Sequence, residues 1–135
     1  WGPLADLHFI IKPDTAVTEQ DIRDSHLVLF GDEKTNLLIG RINANYPIRF
    51  EGERIVAGKE SFPRAGTAFK CVFPNPLNPS RLALVNYSDE WKYGGEFGFV
   101  GFKCLPDYII YSRGSDRPWG APVLKAGFFD KQWRW

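Results

Sequence analysis

The chain has 135 residues, the size of one domain, and 44% of them are apolar, which excludes wholesale disorder. Its net charge is +1, with Lys and Arg scattered among Asp and Glu. That pattern argues against a nucleic-acid-binding domain, which concentrates basic residues on one face.

Aromatic residues make up 16% of the chain, including five Trp and eleven Phe, most of them expected in the core. No apolar stretch approaches the roughly 20 residues needed to cross a bilayer, so no membrane partner is expected. No secretory leader is evident, and the chain contains no Met. A start at Trp1 reads as a processed chain or a piece of a longer one, which leaves the compartment open.

Residues 1–13 form a lead-in segment in which the apolar run 7–11 reads as a strand closed by Pro13. Thr18 is a plausible N-cap for a short helical turn, because Asp21 lies three residues on. Leu27, Val28, Leu29 and Phe30 make an apolar run of strand length that stops at Gly31. A helix is expected next, from Asp32 as N-cap to about Asn45, with Leu38 and Ile42 on one face. Tyr46-Pro47 ends it.

Ile48 to Phe50 and Arg54 to Gly58 read as a small hairpin turned at Gly52. A strand is expected from Thr67 to Phe73. Pro74, Pro76 and Pro79 then read as a rigid loop, since such density suits neither helix nor central strand. That loop either closes a hairpin onto the apolar segment 82–86 or leads into a helical turn capped by Ser80. The stretch 89–105 is rich in glycine and aromatics. Strands are expected over 107–112 and 123–129, with a loop between them. The strand–loop–helix unit at 27–42 places the chain in the α/β class: one domain, an open and mostly parallel sheet flanked by helices, and a peripheral β-hairpin.

Ligands of open α/β sheets gather where strands end, so the 31–36 turn is the first candidate site. Gly31, Asp32, Thr35 and Asn36 could present amides to an anion, with Lys34 assisting. The negative charges of Asp32 and Glu33 oppose this, and an Asp-capped structural turn is the competing reading. A second candidate is an aromatic platform for sugars or peptides built on Trp91 and Tyr93, together with Phe97, Phe99 and Phe102. Those rings, and Trp133 and Trp135, could equally fill the core.

Catalytic residues are not evident. Ser25 and His26 are sequence neighbours, but a nucleophile needs its base in space, and no Gly-x-Ser-x-Gly elbow occurs. His8 and His26 are too few for a metal site without converging carboxylates. Cys71 and Cys104 lack metal-type spacing and read as buried thiols or a single disulfide. No cofactor motif is present.

Several segments together resemble a known family. They are Asp14-Thr15-Ala16-Val17-Thr18 with Asp21-Ile22, the 27–36 unit, and Pro47-Ile48-Arg49. Phe73-Pro74-Asn75-Pro76-Leu77-Asn78-Pro79 with Arg81 follows, then Leu105-Pro106-Asp107-Tyr108 and Ala126-Gly127-Phe128-Phe129-Asp130 with Trp133. The pattern resembles the C-terminal region of large bacterial prolyl-oligopeptidase-type serine peptidases and esterases of the α/β-hydrolase class, and covers about residues 14–135. The resemblance implies a non-catalytic accessory domain whose partner is the catalytic hydrolase unit of the same parent chain, a parent that is secreted or periplasmic. It carries over no catalytic residue, and the segment before Asp14 is shorter than the family pattern. The alternative is a stand-alone carbohydrate- or peptide-binding module.

Overall fold

A computed structural model describes residues 10–89, 106–112 and 122–135. The stretch that holds Trp91, Tyr93 and Cys104, and the segment that holds His8, lie outside the described residues.

The architecture is mostly β. Helix α1 (Glu19–Asp24) precedes strand β1 (Leu27–Phe30), and helix α2 (Leu37–Ile42) runs into a 3-10 turn, Asn43–Asn45. Strands β2 (Ile48–Glu51), β3 (Arg54–Ala57) and β4 (Glu60–Pro63) form an antiparallel three-stranded sheet. Strands β5 (Thr67–Asn75), β6 (Asn78–Ser88), β7 (Tyr108–Ser112) and β8 (Val123–Gly127) join β1 in a second sheet, in the order β1-β6-β5-β7-β8. Among the described strands of this sheet only β1 and β6 run parallel.

This overturns the α/β expectation of a mostly parallel sheet flanked by helices. The strand–loop–helix unit is real, but its helix has six residues, too short to cross back over a sheet. The chain leaves α2 to build β2–β4 and returns to the larger sheet as the long β5–β6 hairpin. Hydrogen bonding then propagates antiparallel. The predicted β2–β3 hairpin is present, and β4 extends it. The 32–45 helix is corrected too: residues 32–35 are a turn, and Asn36 is the N-cap.

The prolines expected to lie in a loop fall partly within strands. Pro74 pairs opposite Leu82, beyond the end of the β5–β7 ladder at Cys71. Pro79 precedes the β1–β6 ladder, which begins at Ala83. Each sits where its strand has a neighbour on one side only, so the missing N–H costs no ladder bond.

Alternation builds the core. Leu29, Val85, Cys71 and Tyr108 are direct partners across four strands, and Tyr87, Phe69 and Ile110 make the adjacent row. These side chains belong to one buried cluster with Ile22, Leu38, Ile39 and Ile42 from the helices and with Ile48, Phe50, Ile55 and Ala57 from the smaller sheet. Phe50 meets Tyr87 and Phe69 with ring centroids 4.9 and 5.6 Å away, so the two sheets share this core. The Tyr46 hydroxyl is shared between the carbonyls of Cys71 and Ala83, at 2.6 and 2.9 Å. That single buried donor ties the end of the α2 segment to β5 and β6.

Candidate functional site

The 31–36 loop is held by its own side chains. Gly31 has φ +107°, and a Cβ there would lie 2.6 Å from the Thr35 hydroxyl oxygen, so the turn requires glycine. Asp32 Oδ1 accepts from the amides of Lys34 and Thr35 and from Thr35 Oγ1, at 2.8–2.9 Å. Asn36 Oδ1 accepts from the amides of Leu38 and Ile39, while Asn36 Nδ2 donates to the Phe30 carbonyl. The Leu37 amide is taken by Asp14 Oδ2 at 2.7 Å. The amides proposed for an anion are already engaged: Gly31 donates to the Asn86 carbonyl, Asp32 to Thr35 Oγ1, Thr35 to Asp32 Oδ1 and Asn36 to the Asp32 carbonyl.

Arg64, which sequence reasoning did not single out, completes this cluster. Its guanidinium donates to Asp32 Oδ2 at 2.6 Å and to both Glu33 carboxylate oxygens at 2.8 and 3.0 Å. A further bond reaches the Gly52 carbonyl, and the guanidinium carbon lies 4.8 Å from the Phe50 ring centroid. Burial alone would lower the pKa of Arg64, but its bonds to Glu33 and Asp32 outweigh that and raise it. Burial likewise pushes Asp32 up, and the bonds from Thr35, Arg64 and the loop amides more than offset it, leaving its carboxyl below the ordinary value. The two acidic residues that count against an anion site thus pair with a buried cation, and the cluster clamps the turn of the smaller sheet to the loop after β1. The only sequence signal was an arginine between Pro63 and Gly66.

The motifs that carry the family resemblance also have internal partners. Thr18 and Asp21 form a reciprocal capping box at α1. Asn78 Nδ2 donates to the carbonyls of Ile22 and Arg23, and Arg81 Nε also donates to Arg23, so the Pro-Asn-Pro-Leu-Asn-Pro hairpin caps the C-terminal end of α1. Asn75 is fully buried, and its Oδ1 accepts from the Leu77 amide at the turn. Asp107 accepts the Phe129 amide, and Phe129 packs on Phe73 and Tyr108 with centroids 5.3 and 5.1 Å apart. Gly127 allows this closeness: a Cβ there would be 2.5 Å from the Tyr108 hydroxyl. Trp133 and Trp135 pack on the same ring cluster.

A groove of about 670 Å³ remains, beside β1. Its walls include Ile10, Ile11, Val28 and Phe30, all exposed, with Ser25, His26 and Asp21 at the polar end. His26 Nδ1 accepts the Leu82 amide at 2.8 Å, which commits that nitrogen to the sheet rather than to Ser25. Asp21 is engaged by Lys12 and Thr18. Lys12 foremost, then Thr18, holds its carboxyl down at about 2. Among the described residues no group of three or more His, Cys, Asp or Glu could hold a metal ion, and no helix is long and apolar enough to cross a membrane. Cys71 is a free thiol in the core, pushed up to about 12 by burial.

No family model, curated protein or solved structure matches this chain.

Proposed function

We propose that the chain is a non-catalytic accessory domain of a larger serine hydrolase, docking on the catalytic unit of the parent polypeptide through the apolar face around β1. The observation that carries this reading is the exposure of that face. Val28 is 48% exposed, and Ile10 and Ile11, on the other wall of the groove, are more exposed still. Apolar side chains gathered around one groove mark a contact with another polypeptide more readily than a stable water-facing surface. The internal use of the Thr18–Asp21 pair, the Pro-rich hairpin and the Asp107–Phe129 bond supports a scaffolding role for the motifs.

The test is fluorophosphonate labelling of the native source extract, followed by the mass of the polypeptide that carries this sequence. A labelled polypeptide far above 15.4 kDa is expected. An unlabelled polypeptide near 15.4 kDa would overturn the reading and favour a stand-alone binding module. In a labelled parent, Val28→Glu is expected to lower activity while leaving the Tm of the separate domain nearly unchanged, because Val28 is a half-exposed surface side chain.

A further inference from the structure

We draw no further inference here: the strongest candidate, the apolar groove between residues 10–12 and the strand Leu27–Phe30, belongs to the docking face already described, and nothing in the structure shows what covers it.

Discussion

Replacing Arg64 by methionine would test whether the loop after β1 is clamped as its geometry requires. Methionine keeps an unbranched stem against Phe50 and removes the guanidinium, leaving Asp32 and Glu33 facing each other's charge. Removing one partner of a fully buried ion pair costs about 3–5 kcal/mol, and a surface pair contributes about 0–1. The Arg64 side chain is 9% exposed, but Asp32 and Glu33 are 18% and 20% exposed and can partly turn to water. The expected loss is therefore about 2–3 kcal/mol, between the two limits. For a domain of this length that is a fall in Tm of roughly 6–12 °C. Urea unfolding followed by tryptophan fluorescence measures it. Adding Asp32→Asn and Glu33→Gln to Arg64→Met should recover at least half of the loss, since the cost lies in the charges left behind. A loss under about 1 kcal/mol, or a triple variant no better than the single one, would refute the argument.

Four further substitutions or measurements probe other parts of the fold. Gly127→Ala should destabilise by about 1–3 kcal/mol in thermal melts, and Tyr108→Phe in the same chain should restore part of it by removing the clashing hydroxyl. Asn36→Ala deletes the cap on Leu38 and Ile39 and should cost about 1 kcal/mol in urea. Asp21 has its folded pKa depressed from 3.8 to about 2, so its contribution is complete above pH 4 and lost as pH falls towards 2; an acid titration of Asp21→Asn should be flatter across that window. Cys71 should resist a thiol reagent at pH 8 by at least about a hundredfold relative to urea-unfolded chain, read by peptide mapping; equal labelling rates would show that it is not in the core.

Local order was legible in the sequence where chemistry is local. The Thr18–Asp21 capping box, the 27–30 strand, the Gly52 hairpin and the strands around Phe69, Val85 and Ile110 are announced by capping residues, turn glycines and apolar runs. Pairing direction was not legible, because it depends on where the chain goes after Ile42 and no residue in β1 or α2 specifies that. Strand β4 has one large apolar side chain, Phe62, and among the described strands pairs only with β3, so no periodic signal marks it. In the candidate loop, Gly31 reads as the stop of the strand and Asp32 as the helix N-cap, whereas the cap is Asn36. The cation that pairs with Asp32 comes from a position 32 residues away, and that distance hid the part Arg64 plays in the loop.

The one parallel pair among the described strands bears on the order of events along the chain. The β5–β6 hairpin closes across a turn of a few residues, whereas Asn86 meets Leu29 across 57 positions. Loop-closure entropy makes the second contact costlier by about 2 kcal/mol before any burial offsets it. Strand β1 is therefore expected to dock late, onto a hairpin already formed, and to open more readily than β5 and β6. Amide exchange should run faster in β1 than in β5 and β6. The face proposed to dock is thus built on a pairing that closes a long loop, and a partner bound there would also act as its folding ligand.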